Sequence, residues 1–132
     1  MSKRRIERFL PTAVQVLRDT GIAKDGRINR PFRNQIYGFG AAVATGSLLA
    51  VVGYFGDQGD ADVDRSQLVG AIYQVLRKEA PRSLGNSEDL FEAVKGAGRG
   101  GQREIKEMIL DAAVALKLAM NFFELTSERE EG

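Results

Sequence analysis

Residues 35–56, QIYGFGAAVATGSLLAVVGYFG, run for 22 positions without a charge in a chain of which 28% is Asp, Glu, Lys or Arg. Such a segment leaves water almost completely, and the fold turns on what it leaves water for. A helix apolar on every side is either the core of a bundle or a membrane span. About 20 apolar residues cross a bilayer, and the flanks obey the positive-inside pattern: Arg27, Arg30 and Arg33 precede the run, and Asp57, Asp60, Asp62 and Asp64 follow it. A small membrane-anchored helical protein spanning at 35–56 is therefore a rival reading. Against it, five glycines, Thr45, Ser47 and two tyrosines dilute the hydropathy, and an amphipathic helix later in the chain needs a packing partner. The reading adopted makes this segment the central helix of a bundle, with no membrane expected.

Outward from that run, the helical signals continue on both sides. Ile6, Leu10, Ala13 and Leu17 fall at helical spacing, with Gly21 as a C-terminal cap and Pro11 as either a kink or a first-turn residue. Residues 21–29 read as a polar loop, after which Asn29 can cap a helix that holds Pro31 in its first turn and continues to about Phe55. Along it Gly38, Ala42, Gly46 and Ala50 form a ladder of small residues that would let another backbone approach closely. The segment GDQGDADVD lacks the closing glutamate of a calcium loop, since a count from Asp57 reaches Leu68 at position twelve. Asp62, and Asp64 with Gln67, instead suit the N-terminus of a helix over 65–79 that buries Val69, Ile72, Tyr73 and Leu76 and ends at Pro81.

Ser87 can cap a short helix with Leu90, Phe91 and Val94 inward. GAGRGGQ at 96–102 resembles a phosphate loop in composition only, since no strand precedes it and no Lys-Ser/Thr pair follows; it reads as a hinge, with backbone contact to a nucleic acid through Arg99 and Arg103 as the functional alternative. The last helix, 103–127, places Ile105, Ile109, Ala112, Leu116, Ala119 and Phe123 on one face and Leu110, Val114, Leu118 and Leu125 in a second row. Glu107, Asp111, Asn121, Glu124 and Glu128 are left as a polar strip. No period-two alternation persists, so the expected fold is all-α, a compact bundle of five or six helices in one domain over 1–132, with a frayed N-terminus at 1–4 and an acidic tail at 127–132.

The 132 residues contain neither cysteine nor histidine. Disulfides, thiolate nucleophiles, the usual zinc sites and the commonest general base near neutral pH are thereby removed. Paired acids such as Glu88–Asp89 and Glu130–Glu131 sit at a helix start or in the tail, where they favour the helix dipole or stay solvated. No catalytic residue, metal site or cofactor is expected. KRRIER runs into an amphipathic stretch rather than an apolar h-region, so no secretory leader is expected and a reducing cytoplasm fits.

The net charge of +1 hides a polarity: residues 1–56 carry nine Lys/Arg against three Asp/Glu, and residues 57–132 carry ten against fifteen. One surface can meet an anionic partner while another meets protein, and copies could meet basic end to acidic end. The sharpest local signal is Arg27, Arg30 and Arg33 approaching a helix N-terminus, joined by Lys24 and, upstream, by Arg4, Arg5 and Arg8. Free backbone N–H groups and bidentate guanidinium donors at such a place hold a nucleic-acid backbone without reading bases. Tyr37 and Phe39 lie close enough in sequence for base stacking, although aromatics on an apolar helix are more often core. A stand-alone nucleic-acid-binding helical bundle is the reading these residues carry unaided.

RIERFLP at 5–11, the arginine-rich lead into YGFGAAVATGSLLAVVGYF at 37–55, VDRSQLVGAIYQVL at 63–76 and ILDAAVALKLAMNFFEL at 109–125 together give the chain a further likeness. In helix pattern and order, over nearly its whole length, it resembles the small α-helical subunit of the type III-B (Cmr) CRISPR RNA-guided effector complex. The resemblance implies a non-catalytic, cytoplasmic ribonucleoprotein component of antiviral defence. Its implied partners are the backbone and large subunits of the effector, other copies of itself stacked in a filament, and guide RNA with its target RNA. Target cutting and cyclic-oligonucleotide synthesis belong to other subunits of that family.

Overall fold

The computed structural model describes residues 2–56 and 66–126, with residues 29–31, 55–56, 66, 99 and 125–126 at the level of backbone. Helix α1 (Lys3–Asp19) forms because Ile6, Phe9, Ala13, Val16 and Leu17 recur at helical spacing, and all five are buried. The Ser2 hydroxyl accepts from the Arg5 N–H at 3.2 Å and caps the start. Pro11 lies inside the helix on its exposed side, so the carbonyl it leaves without a donor one turn earlier can face water. Gly21, at φ +78°, turns the chain out of the helix as expected.

The segment 21–29 is not the polar loop that its composition suggests. Ala23–Lys24 (β1) and Arg27–Asn29 (β2) pair antiparallel around Asp25 and Gly26, whose φ values of 54° and 76° are those of a type I′ turn. Ile22, Ala23 and Ile28 are buried beneath this hairpin. Gly26→Val places a β-branched side chain at a left-handed backbone position and should lower stability by about 1–2 kcal/mol, read as a lower thermal midpoint. A midpoint equal to that of the unsubstituted chain would show that the turn relaxes to another type.

The uncharged run does not form one helix. Helix α2 (Arg30–Thr45) stops and α3 (Leu48–Gly56) restarts, because Thr45-Gly46-Ser47 supplies an end and a new cap. The Gly46 N–H closes the last α2 turn on the Ala42 carbonyl at 2.8 Å, and the Ala50 N–H reaches the Ser47 hydroxyl at 3.4 Å. Its buried side chains, Phe32, Ile36, Phe39, Val43, Leu48 and Val52, face the protein core. Among the described residues no helix is long and apolar enough to cross a membrane. The small-residue ladder faces outward at Gly38, Gly46 and Ala50, so it receives no helix among the described residues. The close approach lies instead at Gly53, where a Cβ would come to 3.2 Å of the Phe91 ring.

Helix α4 (Ser66–Glu79) buries Leu68, Val69, Ile72, Val75 and Leu76, and Pro81 opens the short α5 (Pro81–Leu84). Tyr73 is only half-buried: its hydroxyl donates to the Ser87 carbonyl at 2.7 Å, and Arg77 donates to that carbonyl at 2.6 Å and to the Gly85 carbonyl at 3.1 Å. The next cap is Asp89 rather than Ser87, its carboxylate accepting from the Glu92 N–H at 2.8 Å ahead of α6 (Leu90–Gly96). The glycine-rich 96–102 is not a free hinge. A single left-handed residue, Gly98 at φ +64°, turns the chain, and Gly100 and Gly101 already belong to α7 (Gly98–Ala119).

Ile105, Ile109, Ala112, Leu116 and Ala119 are buried as expected, but the helix ends at Ala119 in a 3-10 turn and does not reach residue 127. Glu124–Thr126 (β3) then pairs parallel to β2, which becomes the central strand of a three-stranded sheet. The fold is predominantly all-α and compact. Among the described residues it has seven α-helices rather than five or six, the excess coming from the break at Gly46 and the turn after Pro81. The capping role of Asn29, the roles given to Asp62 and Asp64, and the acidic tail lie outside the residues described at side-chain level.

Of the N-terminal residues 1–4, the described ones form the cap and start of α1, with Ser2 as its cap. Asp111, counted in the polar strip of the last helix, is fully buried where α1 packs on α7. Its carboxylate accepts from Arg5 Nη1 at 2.7 Å and from the Ser2 N–H at 3.2 Å, which fastens the first residues of α1 to the core.

Candidate nucleic-acid interface

Seven cations were singled out from sequence, and the fold separates them into two groups. α1 carries Arg4, Arg5 and Arg8 near its start and the hairpin after its end. Seventeen helical residues put about 25 Å between those places. Near the start, Lys3 and Arg4 are exposed and have no carboxylate at ion-pair distance among the described residues. Arg5 is held by Asp111, and Arg8 lies 4.0 Å from a Glu79 carboxylate oxygen with its guanidinium 5.3 Å from the Phe9 ring centroid. Glu79 also accepts a hydrogen bond from the Thr12 hydroxyl at 2.5 Å, so this end is knitted by mixed charge.

The other end collects cations from five elements. The hairpin register sets Lys24 opposite Arg27, and β2 passes directly into α2 with Arg30 as its first residue and Arg33 one turn on. The helical threefold spacing therefore does not extend through Arg27, which belongs to the strand. Arg27 Nε lies 3.7 Å from Glu124 on the neighbouring strand, both side chains being more than half exposed. The last turn of α1 adds Arg18, 5.5 Å from the Phe123 ring centroid, and the last turn of α7 adds Lys117. Among the described residues Arg18, Lys24, Arg33 and Lys117 have no carboxylate partner at ion-pair distance. Arg18 and Lys117 were not singled out from sequence; each lies in a helix last turn, where a cation also suits the helix dipole.

The aromatic question resolves by burial. Phe39 is completely buried, whereas Tyr37 keeps 46% of its surface. Two cations from different helices approach the Tyr37 ring: Arg33, one turn before it, at 5.4 Å from the centroid, and Lys117 of α7 at 4.3 Å. Leu118 and Phe122 are exposed on the adjoining surface of the chain leaving α7. Acids stand at this end as well, with Asp19 closing α1, Asp25 in the hairpin turn and Glu124 in β3. A further group, Glu88, Asp89 and Glu92, lines an open hollow at the start of α6, the helix before α7, and the start of α7 lies about 33 Å along that helix from its end. Arg99 and Arg103 fall in the first turns of α7 at that same far end, which separates them from the hairpin group.

Among the described residues no group of three or more His, Cys, Asp or Glu could hold a metal ion. Guanidinium and ammonium groups around exposed backbone at a helix start are suited to phosphate oxygens, as fork donors and point charges respectively. No protein-family model, curated protein or solved structure matches this chain.

Proposed function

We propose that this chain is the non-catalytic small subunit of a type III-B (Cmr) CRISPR ribonucleoprotein effector, stacking with its own copies and binding the guide and target RNA backbone without sequence readout. The observation that carries the reading is the gathering of Lys24, Arg27, Arg33, Arg18 and Lys117 at one end of the bundle. The likeness of the four sequence segments, in helix pattern and order, to that subunit family supports the assembly. The acidic hollow of Glu88, Asp89 and Glu92, with Tyr54 and Phe91 as exposed aromatics, suits contact with protein neighbours, a subunit above or beside this one in a cytoplasmic complex.

In such an assembly the subunit lends charge and shape and leaves the chemistry to its neighbours. Weak RNA binding by the isolated chain and strong retention within the complex are expected, because a few phosphate contacts per copy add up along a filament. Mild affinity capture of this chain from its native cells should recover larger effector subunits and short RNAs sharing a repeat-derived end. Recovery of the chain alone, or with membrane components and no RNA, would defeat the proposal.

A further inference from the structure

We infer that Arg33 and Lys117, drawn together across the ring of Tyr37, form a two-cation clamp for the phosphodiester backbone, with Tyr37 as its positioning residue. The inference rests on the nucleic-acid reading above and assigns it a site. Arg33 and Lys117 belong to helices far apart in sequence, and both side chains are exposed. Centroid distances of 5.4 Å and 4.3 Å put the two like charges no more than about 10 Å apart, where they repel, so something must hold them there. The ring does so: both cations lie within about 6 Å of its centroid, the range in which the negative π face attracts a cation.

The attraction fixes two flexible side chains before any ligand arrives, which lowers the ordering cost of binding. With no carboxylate partner among the described residues, both charges stay available to an anion. Phosphate is favoured over a base because the π density of the ring is already engaged by cations. Lys117 supplies a point charge and Arg33 a planar fork, a pairing that accepts adjacent phosphate oxygens without selecting sequence.

The test compares the full chain with Tyr37→Phe, Tyr37→Leu and Lys117→Glu in fluorescence anisotropy at about 20 mM salt, where phosphate attraction is strongest. The probes are a single-stranded RNA and an abasic sugar-phosphate strand of the same length. Tyr37→Phe, which keeps a π face, should bind both strands within about twofold of the unsubstituted chain, while Tyr37→Leu should weaken both about fivefold. Lys117→Glu should reduce the slope of log affinity against log salt by about 0.7, one single-strand phosphate contact. A loss in Tyr37→Leu confined to the base-containing strand would overturn the clamp in favour of stacking. Unchanged affinity and slope in Lys117→Glu would also overturn it while leaving the nucleic-acid reading intact. Failure of the unsubstituted chain to bind either strand would remove both.

Discussion

Arg5→Met should destabilise the chain by about 3–5 kcal/mol, because it strands the fully buried Asp111 carboxylate with the Ser2 N–H as its one remaining donor among the described residues. Asp111 can reach no water without opening the α1–α7 interface, whereas Arg5, 26% exposed at its side chain, can turn outward. Removing the acid is therefore expected to cost less than removing the base: Asp111→Leu should lose clearly less than Arg5→Met. The double variant Arg5→Met with Asp111→Leu should recover most of the loss, since apolar replacement of a buried pair is often close to neutral. Arg4→Met, one residue away and exposed, should change stability by no more than about 0.5 kcal/mol. Urea unfolding at constant pH measures all four. Equal losses for Arg4→Met and Arg5→Met, or no recovery in the double variant, would mean that the ion pair does not bear on stability as argued.

That pair also marks where the sequence was hardest to read. In KRRIER nothing in residue type distinguishes Arg5, which is structural, from Arg4, which is solvated; only its position on the face toward α7 does. Asp111 did carry a usable signal. It is the one charge in MILDAAVAL, residues 108–116, and an acid alone in an apolar stretch is more economically read as buried and paired than as part of a polar strip. The break in the uncharged run was legible in Thr45-Gly46-Ser47, a helix end followed by a capping residue, but hydropathy summed over 22 positions hides a two-residue interruption. The hairpin escaped because strands of two and three residues are too short to show alternation, although Asp25-Gly26 is a strong two-residue turn signal. β3 could not be found at all from local pattern: its partner, β2, lies almost a hundred residues earlier, and the apolar rhythm of α7 carries on through Phe122 and Phe123 after the helix has stopped.

The long amphipathic segments, by contrast, were readable because burial of one face sets their period. α4 falls within one residue of its expected bounds and α1 holds the residues expected in it, whereas α7 starts five residues and ends eight residues before its expected bounds of 103 and 127; the residues expected inside the three are mostly buried. The candidate interface was half legible for the same reason. Charge could be counted along the chain, but its distribution over the surface depends on how the helices run. α7 ends beside the start of α2, which brings Lys117 to Arg33, while the length of α1 carries Arg4 and Arg8 away.

This division gives the strongest expectation for binding. Arg30→Glu with Arg33→Glu should cut the affinity of the full chain for single-stranded RNA and reduce the salt slope by about 1.4, twice the single-strand value per phosphate contact. Acids in the first turn of α2 favour the helix dipole, so the substitutions should not unfold the helix that displays them. Lys3→Glu with Arg4→Glu, two exposed positions at the start of α1 with no carboxylate at ion-pair distance among the described residues, removes equal charge from the chain and should leave the slope nearly unchanged. Total charge is thereby controlled, and only position differs between the two variants. Arg27 is left out of the comparison because its reversal would set two acids together beside Glu124 and disturb the β2–β3 pairing. If the Lys3/Arg4 variant lost the slope and the Arg30/Arg33 variant kept it, the RNA surface would lie at the start of α1, and the mixed-charge cleft between Arg8, Arg82, Glu79 and Glu104 would become the place to look for it. If both variants lost it equally, binding would follow net charge alone, and no defined face of this bundle would hold the RNA.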